Sequence, residues 1–180
     1  MPAPDRPHLR ELYKKHVDFV WRSLARLGVR ERDLPDVTQE VFIVALRKLS
    51  EFEGRSRETT WLFGIAMRTA SDYRRSARVR HEVLAETEST VAADGDDAHV
   101  QAVRNEERER LYAILEAMPE EQRIVFSAFE LGELTALEIS SLVGAPLGTV
   151  KSRLRLGRQS FRASLAARLA LDLEPEGKDR

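Results

Sequence analysis

TALEISSLVGAPLGTVKSRLRLGRQSF, residues 135–161, has the pattern of two helices about a tight turn, and its reading decides the fold. Thr135 and Glu138 have the S/T-x-x-E spacing of a capping box, so a helix can begin there and bury Ile139, Leu142 and Val143 on one face. Gly144 can end it, because glycine tolerates the positive φ common just past a helix end. Pro146 has the fixed φ and missing N–H that suit the first turn of a second helix. At about 100° per residue, Leu147, Val150, Leu154, Gly157 and Phe161 share one face of that helix, while Ser152, Arg155 and Gln159 point the opposite way beside Lys151 and Arg162. This is the pattern of a helix-turn-helix with one face to pack and one to read DNA.

Charge supports that reading. Between Leu147 and Leu171 stand Lys151, Arg153, Arg155, Arg158, Arg162 and Arg168, and no Asp or Glu. Such a helix seeks phosphate, and Arg or Ser on its outer face can also reach base edges in the major groove. Charge alone fits a solvated basic helix equally well. The capping box, the Gly-x-Pro turn and the inward apolar stripe favour DNA.

The remaining sequence sets the frame. The 180 residues are 42% hydrophobic and 33% charged, ordinary for a helical globular protein, and the net charge of −1 conceals strong segregation. Without cysteine there is neither a disulfide framework nor a thiolate metal site. The N-terminal MPAPDRPHLRELYKK lacks a signal-peptide apolar core, and no run approaches the length of a membrane span, so a cytoplasmic protein is expected. Residues 9–80 are dense in apolar helical periodicity, with Phe19, Trp21, Phe42, Trp61 and Phe63 as core candidates. From Glu82 to Val100 the chain carries six acidic residues and no Lys or Arg, which reads as a flexible acidic linker over 81–100. A second helical unit follows over 101–171, with one helix ending near Met118 and another opened by Pro119. Strand signals are absent, and the expected class is all-α.

In the first unit, Val37, Val41, Val44, Ala45 and Leu49 recur at helical spacing over residues 36–49, with Pro35 placed to start the helix. Asp36, Gln39 and Glu40 project from it. Acids in a first turn suit the helix dipole, worth tenths of a kcal/mol to about one, and the same residues suit a patch that docks a partner helix. Residues 52–60 form a polar, turn-rich loop, followed by a helix in which Arg68, Arg74, Arg75, Arg78 and Arg80 are opposed only by Asp72. A basic helix beside a polar loop bordered by aromatics suits a nucleic-acid strand with an unstacked base. Trp61 taken singly reads as core rather than as a stacking platform.

The order DVTQEVF (residues 36–42), FEGRS (52–56), TWLFGIA (60–66), an Arg-rich helix, an acidic linker, LEAMPEEQRIVF (115–126) and GAPLGTVKSRL (144–154) resembles the extracytoplasmic-function sigma factors, two-domain specificity subunits of bacterial RNA polymerase. The likeness runs from about Leu9 to Leu165. It implies that Asp36, Gln39, Glu40 and Phe42 bind the clamp helices of core RNA polymerase. It further implies that the loop with Gly54, Arg55, Ser56, Thr60 and Trp61 receives a base flipped from the minus-ten element, with Arg68, Arg74, Arg75 and Arg78 holding the melted strand and adjacent duplex. Thr149, Lys151, Ser152, Arg153, Arg155 and Arg158 would read the minus-thirty-five element of promoter DNA, and the linker would pass near the RNA exit channel.

Four positions depart from the family pattern. Many members have Asn at Arg68, a hydrophobic residue and Arg at Glu58-Thr59, and Arg at Leu156, so the preferred minus-ten base does not transfer and upstream readout shifts to Lys151, Ser152, Arg153 and Arg155. The tail DLEPEGKDR leaves no expected C-terminal regulatory domain. An anti-sigma partner is therefore expected, as a helical inhibitor lying between the two units and burying apolar surface near Phe42. A helix-turn-helix regulator that does not replace the sigma subunit would explain the second unit and leave the first without a role. An enzyme is not expected: no Ser/His/Asp set, glycine-rich phosphate loop or HExxH accompanies Asp36 and Glu40, and His8, His16, His81 and His99 lack metal-ligand spacing. No cofactor or metal is implied.

Overall fold

The computed structural model describes residues 6–83 and 98–173, which form seven α-helices joined by short turns, with no strand among them. They are α1 (Arg6–Arg26), α2 (Leu34–Lys48), α3 (Glu58–Val83), α4 (Ala98–Glu116), α5 (Glu120–Phe126), α6 (Ala136–Val143) and α7 (Leu147–Leu173). The all-α expectation holds. Residues 84–97 of the expected linker lie outside the described residues; its margins are helical, since α3 runs to Val83 and α4 starts at Ala98. No described helix is long and apolar enough to cross a membrane.

Helices α1, α2 and α3 pack mutually, because each carries an apolar stripe at helical spacing. Val20 and Leu24 of α1, Val41 and Ala45 of α2, and Leu62, Phe63 and Ala66 of α3 are fully buried. Pro35 lies in the first turn of α2, as its missing N–H allows. Polar ties fix the helix ends. The Tyr73 hydroxyl donates to Asp33 Oδ2 at 2.5 Å. Glu58 Oε2 accepts from Lys15 Nζ at 2.7 Å and lies 2.8 Å from His16 Nε2, and these two bonds hold the Glu58 carboxyl below the usual carboxylate range.

In the second unit α5 packs chiefly on α7. Phe126 stacks on Phe161 with ring centroids 5.1 Å apart, and Val150 and Leu154 are buried beneath. Arg153 pairs with Glu121, and Arg158 Nε donates to Glu130 Oε1 at 2.5 Å. After Phe126 the helix widens into a π-helical turn, Ser127–Leu131, closed by the Gly132 N–H donating to the Ser127 carbonyl at 2.9 Å.

The helix-turn-helix forms as its sequence predicts. Glu138 N–H donates to Thr135 Oγ1 at 3.2 Å, and Thr135 N–H donates back to Glu138 Oε2 at 2.8 Å, completing the capping box. Gly144 takes φ +64°, and the Ser140 hydroxyl closes the turn by donating to the Ala145 carbonyl at 2.6 Å. Pro146 sits one residue earlier than expected: it precedes α7, and its carbonyl accepts from Val150 N–H at 3.1 Å. Val150, Leu154 and Gly157 face inward, whereas Leu147 remains 37% exposed at the helix start.

The two units touch, and one apolar cluster runs through both. Leu142 of α6 sits against Gly64 of α3 so closely that a Cβ there would lie 3.0 Å from Leu142 Cδ1. Arg26 Nη1 donates to the Leu131 carbonyl at 3.0 Å, and the Ser71 hydroxyl donates to Glu120 Oε1 at 2.9 Å. Glu138 joins them most directly. Its Oε1 accepts from the Thr60 hydroxyl at 2.8 Å and its Oε2 from Arg57 Nη2 at 3.1 Å, while Arg57 Nη2 also reaches the Glu133 carbonyl at 2.9 Å. Burial works to raise the Glu138 carboxyl, and the Thr135 N–H, the Arg57 guanidinium and the Thr135 and Thr60 hydroxyls outweigh it, holding the group at about 2.

Two outcomes follow from these contacts. Phe63→Ala removes a ring that is 1% exposed and is expected to cost about 3–5 kcal/mol in urea unfolding, whereas Leu137→Ala, at 69% exposure, is expected to be near neutral. A carboxyl with a lowered folded-state pKa stabilises above its unfolded value, near 4.5, and loses that contribution as pH falls toward about 2. The stability gap between wild type and Glu138→Gln should therefore be largest near neutrality and close over that acidic interval in pH-resolved unfolding.

Candidate nucleic-acid and partner interface

Three surfaces carry the residues singled out by the sequence. The first is the outward side of α2, where Asp36, Gln39 and Glu40 are exposed beside one another. Asp36 lies in the first turn, and the residue preceding the helix, Asp33, makes no side-chain cap. Phe42 corrects the expectation. It is 5% exposed, packed in the core with its ring 4.7 Å from Tyr13, because it lies one position from Val41 on the buried side of α2. Ile43, 42% exposed, is the apolar neighbour on the open side, and no periodicity argument had selected it.

The second surface is the loop before α3. Gly54 takes φ +69°, which lets the chain reverse there, and Arg55 and Ser56 stand in solvent with Arg55 paired to Glu53. The loop is shorter than expected: α3 already begins at Glu58, so Thr60 belongs to its first turn. Thr60 is buried, with its hydroxyl committed to Glu138. Trp61 is half-buried and packs on Phe52 at a centroid distance of 4.8 Å, which agrees with its reading as core.

Along α3 the arginines diverge. Arg68 and Arg75 are exposed, and Arg75 pairs with Asp72 at 3.0 Å one turn earlier. Arg74 instead packs toward the α1–α2 junction beside Gly28, with Nη1 buried and no hydrogen-bond partner among the described residues. The side chain of Arg78 lies outside the described residues.

The third surface is the outer face of α7. Lys151, Ser152 and Arg155 are exposed together, on a helix fixed from behind by Val150 and Leu154. Thr149 is half-buried. Arg153 and Arg158 do more holding than reaching in this conformation. Arg153 is drawn to Glu121, and Arg158 bonds Glu130 with its guanidinium 5.4 Å from the Phe129 ring centre. Arg153 also faces Arg68 and Arg75 across a cleft of about 450 Å³ between α3 and the second unit, with Met67, Leu142 and Val143 on its walls. Residues expected to meet separate DNA elements thus border one cleft.

The feature that sequence reasoning missed is the Arg57–Glu138 pair. Glu138 was legible as a cap, but its second set of partners comes from residues 78 and 81 positions away.

The chain is similar to known proteins in sequence and in fold. Residues 12–80 match the family model for sigma-70 region 2, and residues 108–161 match that for sigma-70 region 4. The chain is 34% identical over 163 residues to the ECF RNA polymerase sigma factor SigE of Mycolicibacterium smegmatis, covering 89% of this chain and 62% of that protein. It is 32% identical over 148 residues to the ECF RNA polymerase sigma-E factor of Escherichia coli, covering 77% of each. Among solved structures, CnrH in complex with the cytosolic domain of CnrY superposes with a TM-score of 0.66 at 21% identity, over 91% of this chain and 90% of that one. The sigma factor RpoE of Bartonella quintana, in complex with the anti-sigma factor NepR, does so with a TM-score of 0.66 at 17% identity, over 87% and 96%. The chain spans about three fifths of the length of the mycobacterial relative, and those two structures share its fold. By its two matched regions and its likeness to the Escherichia coli protein, the chain belongs to the extracytoplasmic-function group of RNA polymerase sigma factors.

Proposed function

We propose that this chain acts in the cell interior as a promoter-specificity subunit: it joins core RNA polymerase, recognises a bipartite promoter and helps to open it. In this reading residues 9–80 form the unit that binds polymerase and the minus-ten element, and residues 101–171 the unit that binds the minus-thirty-five element. The observation that carries the reading is the outer face of α7, where Lys151, Ser152 and Arg155 stand exposed on a helix locked from behind. A rigid, basic, unobstructed helix face after a tight turn is what insertion into a major groove requires. Arg155 can offer two parallel N–H groups to a guanine edge. Asp36, Gln39, Glu40 and Ile43 supply an acidic and apolar patch for the polymerase, with Phe42 supporting it from the core. An anti-sigma protein is the expected regulator, as a helical inhibitor that lies between the two units and buries apolar surface on both. The subunit guides a reaction that the polymerase catalyses and needs no catalytic residue of its own.

Arg155→Ala should weaken binding of the cognate upstream element by about 1–3 kcal/mol in a gel-shift titration of holoenzyme, while Arg162→Ala weakens cognate and scrambled DNA alike. Equal losses on both DNAs for Arg155→Ala would remove it from base readout. Reversing the charges of Asp36 and Glu40 together should abolish co-purification with core polymerase and leave the helical circular dichroism unchanged. A doubly reversed protein that still supports initiation would make those residues mere helix-end charges.

A further inference from the structure

We propose that Glu138 is an internal latch that holds the free chain closed by occupying Arg57, at the end of the loop before α3, and Thr60, in the first turn of that helix, in competition with a DNA strand received by the loop. The proposal rests on the reading of the loop given above. Its geometry divides the work of one carboxylate between its two oxygens. Oε2 serves the cap, accepting from the Thr135 N–H and hydroxyl at 2.8 Å each, and Oε1 takes the Thr60 hydroxyl at 2.8 Å. Arg57 spans both, with Nε 3.3 Å from Oε1 and Nη2 3.1 Å from Oε2. Opening the latch therefore leaves the cap and the helix start intact. An anionic oxygen held by a guanidinium and a hydroxyl is also what a phosphate of a single strand offers. The carboxylate fills that role within the chain.

The same contact places the first helix of the helix-turn-helix over the start of α3, with Leu142 against Gly64. The loop and α7 are thereby held in one compact body, and Arg68, Arg75 and Arg153 are turned toward a shared cleft. The closed state carries a cost that makes it releasable. Arg123 of α5 is 1% exposed, with Nε and Nη1 lacking hydrogen-bond partners among the described residues, and it meets Gly28 across the seam between the units; Arg74 of α3, whose Nη1 is likewise unpaired among them, lies beside the same glycine. Buried, unpaired guanidinium nitrogens favour separation of the surfaces that bury them. One good ion pair set against two poorly solvated cations describes a latch that binding of polymerase and DNA can open.

The chain has no cysteine, so Ser50→Cys and Ala163→Cys can carry spin labels without further changes. Pulsed electron resonance on the full-length free chain should give a single short distance for wild type and a longer, broader distribution for Glu138→Gln and for Arg57→Ala, which keeps the cap. Thr135→Ala, which loses the cap and keeps the latch, should stay closed. Binding of labelled, short single-stranded DNA of random sequence should tighten about fivefold in Glu138→Gln, as expected for loss of one partly exposed ion pair. Unchanged distances in both latch variants would overturn the proposal, with strand binding in wild type still upholding the reading of the loop. Opened distances with unchanged DNA affinity would overturn the competition and the strand-binding reading on which it rests.

Discussion

The carboxylate of Glu138 is the constraint on which the arrangement of the whole chain turns. It starts α6, and so sets the direction of the helix-turn-helix, and it reaches back to the head of α3. A carboxylate on four donors resists protonation, and its bonds survive well below neutral pH. A neutral side chain at this position would serve the cap and lose most of the cross-unit attraction, because the Arg57 fork is matched to a charged, bidentate partner.

Around that point the arginines fall into distinct physical roles although the sequence presents them as one basic population. Arg153 and Arg158 spend their charge on Glu121 and Glu130, fastening α7 to α5 and its π-helical extension. Arg26 and Arg57 cross between the units to backbone carbonyls. Arg74 and Arg123 are drawn into the seam. Lys151 and Arg155 are left on the open face of α7, where long-range attraction to DNA is least offset by neighbouring carboxylates.

Local features were legible in the sequence and long-range ones were not. The capping box, the glycine stop and the inward stripe Val150, Leu154 and Gly157 depend on residues within a turn or two of each other, and periodicity finds them. Phe42 misled because residue type suggested a docking anchor while its neighbour Val41 placed it on the buried side. The start of α3 at Glu58 was hidden by the polar run Arg57–Thr60, which reads as loop until Lys15 and His16 are seen holding Glu58. The union of the two units rests on pairings such as Thr60 with Glu138 and Gly64 with Leu142, which leave no local pattern. The exposed face of α7 was legible in full, and the division of its arginines into bound and unbound was not.

The π-helical turn at Ser127–Leu131 bears on how the gene can change length. A π turn takes one residue more than an α turn before its carbonyl is satisfied, here in the bond from Gly132 N–H to the Ser127 carbonyl at 2.9 Å. Loss of one codon from this stretch restores α-helical bonding and rotates everything beyond it by about 100° relative to α5. The Leu131 carbonyl then turns away from Arg26, and the capped helix that follows starts on a different side of the molecule. In-frame deletions are tolerated at most surface turns. At this one a single codon sets the angle between α5 and the helix-turn-helix that follows, so the length of the turn fixes how the two units meet.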